Sequence, residues 1–324
     1  MLTHPLSTDT IFLSRRKYDE RLGNFAIPLP GLNQASEISN YIKKESNFVI
    51  CGYPDDEGVR LNSGRPGAAE GPDAIRSFFY KMTPKSFKNV PAIYDLGNID
   101  LGNELGTRHR LGKNLCAESL KNKSKWIALG GGHDYAFSEG AGFLETYGNS
   151  KQKPLVLNFD AHLDVRALDR GLNSGTPFRR LLQDYKSFDF AEIGIQELCN
   201  NPEYVEWVKN KKGKILWNDE VLLGKKDFLA HFKRTLGPWL KKNRPTFVSI
   251  DIDGFSSSHA PGCSQSWPGG FTPHDFFKVF DFILKTLDVR VLGIYEVSPP
   301  LDLQNQTSKL AAEIIYRYIY GSRK

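Results

Sequence analysis

Residues 155–164 read LVLNFDAHLD, a mostly apolar run that ends in three polar side chains. A short apolar run bounded by turn-forming sequence is typical of a strand buried on both faces, as strands of parallel sheets are. Five further runs have the same character: 48–52 (FVICG), 126–130 (WIALG), 190–195 (FAEIGI), 247–250 (FVSI) and 291–297 (VLGIYEV). The sequence therefore predicts at least six buried strands.

Amphipathic segments lie between and after these runs. They predict helices over 72–81, 178–185, 202–211, 275–287 and 308–320. Strands that alternate with helices along the whole chain favour an α/β fold, with a parallel sheet covered by helices on both faces. We find no linker or internal repeat and predict one domain over residues 1–324. A (β/α)₈ barrel is the second architecture that this pattern allows.

Composition excludes several functional classes. The 324 residues include 43 Lys and Arg and 37 Asp and Glu, a formal net charge of +6. The basic clusters at 121–125, 209–214, 225–226 and 241–244 are separate and contain no interleaved aromatic residues. We therefore expect no nucleic-acid partner.

The chain also lacks the signals of a membrane or exported protein. It has no run of 18 apolar residues, and its first 20 residues do not read as a secretory signal. The four cysteines, at 51, 116, 199 and 263, form no CxxC pair. Unpaired thiols fit a reducing compartment, so we predict a cytoplasmic location and no membrane partner.

Polar side chains follow three of the predicted strands. They are His133 after 126–130, Asp160, His162 and Asp164 after 155–159, and Asp251 and Asp253 after 247–250. The carboxyl ends of parallel strands meet at one edge of a sheet, where ligands bind, so we expect these six residues to converge. Residues two apart on an extended segment point the same way, which adds to the convergence. The histidines at 4, 109, 231 and 274 lack this context and are predicted to lie on the surface.

The six converging residues predict a metal site. Four carboxylates gathered without a cation would repel each other and could not all stay ionised. Oxygen ligands with two imidazoles and no thiolate suit a hard-to-borderline divalent ion, and six ligands exceed the needs of one tetrahedral zinc. We predict two Mn²⁺ per subunit that share a carboxylate, with iron, cobalt or zinc as substitutes.

Four motifs together carry a family resemblance. They are GGHD at 131–134, DAHLD at 160–164, SIDID at 249–253 followed by APG at 260–262, and EVSP at 296–299. The chain resembles the ureohydrolase superfamily of arginase, agmatinase and formimidoylglutamase, in motifs that run from about residue 48 to 300. The resemblance implies a three-layer α/β/α arginase-like fold with a mostly parallel central sheet. It also implies a binuclear manganese site, hydrolysis of a C–N bond at a guanidino or amidine carbon, and a homotrimer or homohexamer.

Three segments look most like the formimidoylglutamase branch. They are GVRLNSGR at 58–65, NSGTPF at 173–178 and GIQ at 194–196. Ser174 stands where arginases and agmatinases have a histidine, which argues against arginine as substrate. Ser256 and Ser257 replace the Asp-Pro that commonly follows the second aspartate pair. The resemblance thus implies hydrolysis of N-formimidoyl-L-glutamate to glutamate and formamide, a step of histidine degradation.

Site roles follow from that substrate. We expect a metal-bridging hydroxide to attack the amidine carbon, Asp164 to accept the proton, and Glu296 to bind the cationic formimidoyl group. Arg60, Arg65 and Arg166 are candidates for the two substrate carboxylates, because guanidinium matches carboxylate geometry, and Ser174 is a further substrate contact. Two alternatives stay open: a guanidino hydrolase that releases urea from agmatine, guanidinobutyrate or arginine, and a non-catalytic metal-binding scaffold.

Overall fold

Ten strands form one sheet in the part of the chain that the computed structural model describes, residues 1–6, 11–16, 18–42, 47–224 and 227–321. The strands are β1 Thr3–His4, β2 Ala26–Pro28, β3 Phe48–Gly52, β4 Ile93–Ile99, β5 Lys125–Leu129, β6 Leu155–Phe159, β7 Asp189–Ile195, β8 Lys214–Trp217, β9 Pro245–Asp251 and β10 Asp288–Tyr295. All six predicted strands are present. The basic pair 225–226 lies outside the described residues.

The sheet is open and mostly parallel. Its order is β1-β4-β3-β5-β10-β9-β6-β7-β8, and β2 also pairs with β4. Each pair of neighbours is parallel except β1 and β4. The path of strands does not close on itself within the described residues, so the barrel architecture is not the one adopted.

Helices cover both faces of the sheet. They are α1 Ile38–Tyr41, α2 Glu57–Leu61, α3 Gly71–Phe79, α4 Leu105–Lys121, α5 Ala136–Tyr147, α6 Pro177–Asp184, α7 Pro202–Asn210, α8 Asp219–Leu222, α9 Phe228–Leu236, α10 Pro273–Thr286 and α11 Gln306–Gly321. One apolar core joins α3, α9, α10 and α11 to the sheet, and a second joins α1, α4, α5, α6 and α7 to its other face. This is the predicted three-layer α/β/α arrangement.

Successive side chains of a strand point to opposite faces of the sheet, so each strand contributes side chains to both cores. In β6, Leu155, Leu157 and Phe159 pack into the first core while Val156 packs into the second. Because both faces are covered, the strand is apolar throughout instead of alternating with polar residues, apart from Asn158. The side chain of Asn158 therefore lies among buried groups on the α4–α5–α6 face.

Helix boundaries follow local signals within a few residues of the predictions. The helix predicted to begin at residue 275 begins at Pro273, because the Thr272 side chain accepts a hydrogen bond from the Asp275 amide (3.2 Å) and proline fits the first turn. The elements that were not predicted are helices α1, α2, α4, α5, α8 and α9 and strands β1, β2, β4 and β8. Strand β4 reads IYDLGNI and buries Asp95, so its polarity hides it from an apolar-run criterion.

Two of the histidines that were predicted to lie on the surface are buried. His109 has no exposed surface, and His231 is 6% exposed. His109 sits on the inner side of α4, where its Nε2 lies 2.7 Å from Asp134 Oδ2 and its Nδ1 lies 2.8 Å from Arg180 Nη1. The prediction for His109 failed because these partners come from distant segments. His4 and His274 are exposed.

No helix among the described residues is both long and apolar enough to cross a membrane.

Candidate metal centre

Four neighbouring strands deliver the candidate site. In the sheet, β5, β10, β9 and β6 are adjacent in that order. His133 lies in a short 3₁₀ turn after β5, Asp160 follows β6, Asp251 ends β9, and Glu296 follows β10. The predicted convergence at the carboxyl edge of the sheet is therefore present in the structure.

His133 approaches three carboxylates with one ring nitrogen. Its Nδ1 lies 2.8 Å from Asp164 Oδ2, 3.1 Å from Asp160 Oδ2 and 3.2 Å from Asp251 Oδ2. None of these contacts has the geometry of a hydrogen bond, so this buried nitrogen has no hydrogen-bond partner among the described residues. The other ring nitrogen, Nε2, lies 2.9 Å from Ser249 Oγ. A nitrogen lone pair that converges with three carboxylate oxygens is an arrangement that a cation would complete.

Asp160 joins this group to a second one. Its Oδ2 faces His133, while its Oδ1 lies 3.5 Å from His162 Nδ1, which is also 3.1 Å from Asp253 Oδ2. The six predicted ligands thus form two overlapping groups, His133, Asp160, Asp164 and Asp251 in one and Asp160, His162 and Asp253 in the other. We call them together the strand-end cluster. With oxygen and imidazole donors and one shared carboxylate, they could hold two divalent cations.

The spacing of the aspartates has a local cause. The His162 amide donates to Asp160 Oδ1 (2.7 Å), and the Asp253 amide donates to Asp251 Oδ1 (2.9 Å). In both loops a carboxylate therefore accepts the amide two residues ahead, the geometry of an Asx turn. This turn fixes each carboxylate as the strand ends and leaves Oδ2 facing the cluster.

Burial disfavours the charged form of the carboxylates in the cluster. Burial raises the pKa of Asp251 well above its usual range, and the charges of Asp253 and Asp160 raise it further. Burial also raises the pKa of Asp253 to about 6, against the lowering effect of His162. Burial alone would raise the pKa of Asp160 as well, but contacts with His133 and His162 hold it below the usual range. Divalent cations would favour the ionised form of all these carboxylates.

A pocket of about 440 Å³ opens onto the cluster. Its inner end holds His162, Asp164, Asp251, Asp253 and Glu296. Its walls and rim hold Val59, Asn62, Gly64, Leu163, Val165, Arg166, Ser174, Cys199, Asn200, Asn201, Tyr204, Ser264, Gln265 and Trp267. Among these described residues, Arg166 is the one Lys or Arg. The pocket is thus acidic inside and carries amide groups and one cation near its mouth, which suits a ligand with a cationic end and an anionic end.

Glu296 is fixed at the inner end of the pocket. Its Oε1 accepts a hydrogen bond from the His133 amide (3.0 Å), and its own amide donates to Gly131 O (2.8 Å). Burial, together with the charge of Asp253, raises its pKa to about 8. Glu296 and Asp164 also have positive φ, 64° and 46°, a conformation that few non-glycine residues adopt.

Of the candidate substrate residues, Arg166 and Ser174 line the pocket, whereas Arg60 does not. The Arg60 guanidinium is exposed and pairs with Asp56, facing a separate depression with Asp55 and Arg108. Helix α2 turns it away from the strand ends, a direction that the sequence motif did not reveal. Arg60 therefore lies outside the pocket that the candidate ligands line.

Arg65 contacts the pocket wall. Its Nε donates to Ser264 O (2.9 Å), its Nη2 to Cys263 O (3.0 Å), and its amide to Ser264 Oγ (2.8 Å). These bonds hold the loop that carries Ser264, Gln265 and Trp267 into the pocket. The Arg65 amide and guanidinium therefore form hydrogen bonds with other residues of the chain.

Ser174 and Arg166 are held next to each other. The Ser174 Oγ accepts a hydrogen bond from Asn62 Nδ2 (3.1 Å), and the Arg166 amide donates to Gly175 O (2.8 Å). Gly175 leaves room for the arginine, because a Cβ there would lie 2.6 Å from Arg166 Cδ. Ser256, at the other departure from the family pattern, is buried and donates to Pro268 O (2.8 Å), which closes its loop.

Several polar neighbours of the cluster were missed by the sequence reasoning. Asn158 and Ser249 lie two residues before Asp160 and Asp251 on the same face of their strands, so the period of two could have indicated them. His109, predicted to be on the surface, contacts Asp134 directly beside His133. Nothing in the sequence alone signals that last contact.

Fold and cluster together define the class. The fold is an open, mostly parallel sheet between two layers of helices. Its strand ends bring carboxylates and imidazoles together below a polar pocket. This is the arrangement of a metal-dependent hydrolase. The family follows from comparison with known proteins: the chain belongs to the Arginase family, whose sequence model matches residues 46–320.

Individual relatives agree with that assignment. The chain is 34% identical over 284 residues to a formimidoylglutamase of Streptococcus pyogenes, covering 84% of this chain and 83% of the relative. It is 31% identical over 282 residues to one of Staphylococcus aureus, covering 85% and 86%. A crystal structure of Trypanosoma cruzi formiminoglutamase with Mn²⁺ superposes with a TM-score of 0.76 at 29% identity, covering 88% of this chain and 97% of that one.

Proposed function

We propose that the chain hydrolyses N-formimidoyl-L-glutamate to glutamate and formamide with two Mn²⁺ bound in the strand-end cluster. The observation that carries the proposal is the shared carboxylate Asp160, which offers one oxygen to each ligand group. Relatives named formimidoylglutamase, and a solved formiminoglutamase with Mn²⁺, support both the substrate and the metal.

The reaction replaces one C–N bond by a C–O bond. Water adds to the formimidoyl carbon, the bond from that carbon to the glutamate nitrogen breaks, and the departing amine takes up a proton. When bound, two divalent cations supply Lewis-acid chemistry that brings the pKa of water to about 7. The remaining tasks fall to residues of the chain itself.

Asp164 is proposed to accept the proton that the attacking water loses. Its Oδ2 contacts His133 Nδ1 (2.8 Å), and the side chain lines the pocket next to the other carboxylates. A general base must lie within hydrogen-bond reach of the proton that it accepts, and Asp164 shares the pocket with the other candidate ligands. The proton can then pass to the departing amine within the same pocket.

Glu296 is proposed to hold the cationic formimidoyl group. The His133 amide fixes the orientation of its carboxylate, and the residue lines the inner end of the pocket. A cation placed there would form a charge-assisted hydrogen bond and would offset the burial that raises the pKa of Glu296. Ser174 can contribute a hydroxyl contact, but it lacks the basic nitrogen that a histidine would bring.

Arg166 is proposed to bind the substrate carboxylates at the mouth of the pocket. It is the cation among the described residues that line the pocket, and Asn62, Asn201 and Gln265 add amide donors beside it. Agmatine has no carboxylate to use this end of the pocket. A cation at the mouth of the pocket thus favours the glutamate derivative over agmatine.

The test is a substrate screen with Mn²⁺-loaded protein. Formimidoylglutamate, agmatine, guanidinobutyrate and arginine are compared, with formamide and urea detected separately. We expect formamide from the first substrate and little urea from the others. Urea as the main product would replace the proposal by a guanidino hydrolase, and turnover of none of the four by Mn²⁺-loaded protein would leave a metal-binding scaffold.

The predicted trimer or hexamer and the cytoplasmic location stay predictions. Sedimentation of the Mn²⁺-loaded protein measures the first.

A further inference from the structure

A row of polar side chains lies one step below the metal-binding loops. Asn158 on β6 is in register with Glu192 on β7 and with Ser249 on β9. All three are fully buried. Asp160 lies two residues after Asn158, just past the end of β6, and Asp251 ends β9 two residues after Ser249, so each of these two candidate ligands stands above one member of the row.

Asn158 connects the row to the shared carboxylate. Its Nδ2 donates to Asp160 Oδ2 (3.1 Å) and also to Glu192 Oε2 (2.9 Å). The other oxygen of Asp160, Oδ1, accepts the His162 amide (2.7 Å). Both oxygens of the carboxylate that belongs to both ligand groups are therefore held by donors of known position.

We infer that Glu192 is a positioning residue of the metal centre, because its carboxyl group holds the Asn158 amide in the orientation that fixes Asp160. The inference rests on the proposed metal site. A side-chain amide can turn over and exchange its oxygen and nitrogen. The Asn158 Nδ2 group donates to one oxygen of Asp160 and to one oxygen of Glu192. If the Asn158 amide turned over, its Oδ1 would face both of these oxygens, which disfavours the turned orientation. Without Glu192, only the contact with Asp160 would hold the amide in place.

Burial supports a specific role for this group. A carboxyl group inside an apolar sheet is costly unless it forms a hydrogen bond that the fold needs. The bond from Asn158 is the one that the structure gives to Glu192, and its Oε1 has no hydrogen-bond partner among the described residues. Outer-sphere partners of this kind typically change metal affinity or activity by about 10- to 100-fold when they are removed.

The experiment measures Mn²⁺ affinity by calorimetry in the full-length protein. Glu192→Leu removes the acceptor, and we expect Mn²⁺ to bind about 10- to 100-fold more weakly. Glu192→Gln keeps an acceptor oxygen and should retain most of the affinity. If Glu192→Leu does not fold, Glu192→Met, which is closer in shape, takes its place.

Two comparisons separate positioning from general damage. Asp189→Asn, on the same strand, breaks contacts with Lys153 and Arg244 far from the ligands and should leave Mn²⁺ affinity unchanged. Because Glu192 acts through Asn158, the double variant Asn158→Ala/Glu192→Leu should bind Mn²⁺ no more weakly than Asn158→Ala alone. Electron paramagnetic resonance of the loaded protein gives a second readout, since a displaced Asp160 would alter the coupling between the two ions.

Equal Mn²⁺ affinity of the wild type and Glu192→Leu would overturn the inference, and so would additive losses in the double variant. In both cases the wild type still binds Mn²⁺, and the proposed function stands. A wild-type chain that binds no Mn²⁺ would instead overturn the proposed metal site, and the inference with it.

Discussion

Two buried groups of charged residues show how differently the same fold treats its carboxylates. One is the strand-end cluster. The other is the Arg76–Asp95 pair, in which neither side chain has exposed surface. Asp95 Oδ2 accepts from Arg76 Nε (3.0 Å) and from Tyr80 OH, and Asp95 Oδ1 accepts from Arg76 Nη2 (3.0 Å) and from the Gly97 amide (2.8 Å).

The difference lies in how the charge is balanced. The guanidinium of Arg76 also reaches Gly97 O (2.8 Å), Asn98 Oδ1 (2.6 Å) and the exposed Asp73 Oδ1 (3.4 Å), so its charge is balanced and its donors are used inside the protein. The strand-end cluster instead has four carboxylates against two imidazoles, and it opens onto a pocket. The first arrangement is complete without a ligand, whereas the second calls for cations from outside. This contrast separates structural from functional buried charge.

The largest effect expected concerns a ligand of the cluster. Asp251→Asn should lower kcat/KM by at least about 1,000-fold, since even an outer-sphere partner is worth about 10- to 100-fold. Steady-state formamide release measures this loss. Stability of the metal-free chain should not fall, because one of the mutually repelling carboxylates is gone. A clear loss of metal-free stability would make the cluster resemble the Arg76–Asp95 pair and would break the comparison.

The converse effect is expected at the pair. Asp95→Asn removes the buried carboxylate partner of Arg76 and leaves it with the exposed Asp73, 3.4 Å away, so we expect a loss of stability of up to about 3–5 kcal/mol, the usual cost of breaking a buried pair. Urea denaturation measures the free energy of unfolding, and kcat of the folded fraction should stay unchanged. If Asp95→Asn instead lowered kcat without lowering the free energy of unfolding, the Arg76–Asp95 pair would have a functional role and would not be purely structural.

A third buried carboxyl group, Glu139, differs from both groups because its hydrogen-bond partners are neutral donors and not cations. Tyr53 OH, Tyr295 OH (2.9 Å) and Trp126 Nε1 (3.3 Å) donate to it. Burial raises its pKa from 4.5 to about 7, so the folded state binds the proton more tightly than the unfolded state does. Its stabilising contribution is therefore present below pH 4.5 and is lost as the pH rises through 7.

That loss amounts to roughly 3 kcal/mol. Glu139→Gln removes this titration. The free energy of unfolding of the variant should therefore rise relative to that of the wild type as the pH increases from 4.5 to 7.5. Parallel stability curves for the two proteins over this range would show that Glu139 does not titrate there.

A smaller effect is expected at the mouth of the pocket. Arg166→Ala removes a charge-assisted hydrogen bond of about 1.5–3 kcal/mol, so KM for formimidoylglutamate should rise about 10- to 100-fold with kcat little changed. Arg60→Ala is the matched control, since Arg60 pairs with Asp56 outside the pocket. Equal KM values for both variants would remove Arg166 from the substrate site.

The smallest effect expected is at Gly175. An added Cβ would lie 2.8 Å from Arg166 Nε, so Gly175→Ala should displace the guanidinium and raise KM by less than Arg166→Ala does. The two effects should not add in the double variant, because they act through the same side chain. Additive increases in KM would mean that Gly175 acts by another route.

The contrast also explains what could be predicted from the sequence. The ligands of the cluster lie at fixed short spacings after apolar runs, and one geometric rule, the meeting of strand ends, brings them together. The Arg76–Asp95 pair and the bonds of Asn158 to Glu192 depend on which strands and helices become neighbours. Such contacts join residues 19 and 34 positions apart, and no local pattern marks them.

The candidate substrate arginines show the same limit. Arg60 and Arg65 lie in the motif segment 58–65, and Arg166 lies two residues past the DAHLD motif. In the structure Arg60 faces a different depression, Arg65 holds a loop, and Arg166 lines the pocket. A motif places a residue near a site, whereas the direction of its side chain follows from the local turn of the backbone. Helix α2 directs Arg60 toward Asp56, which the sequence did not reveal.

The most direct test of the two-cation centre is the number of Mn²⁺ ions bound per chain when formamide release reaches its maximum. Metal-free protein is titrated with Mn²⁺ while bound metal and activity are measured in the same samples. Because Asp160 belongs to both ligand groups, we predict that activity saturates at two ions per chain. Full activity with one ion per chain, or in the presence of excess chelator, would contradict the account.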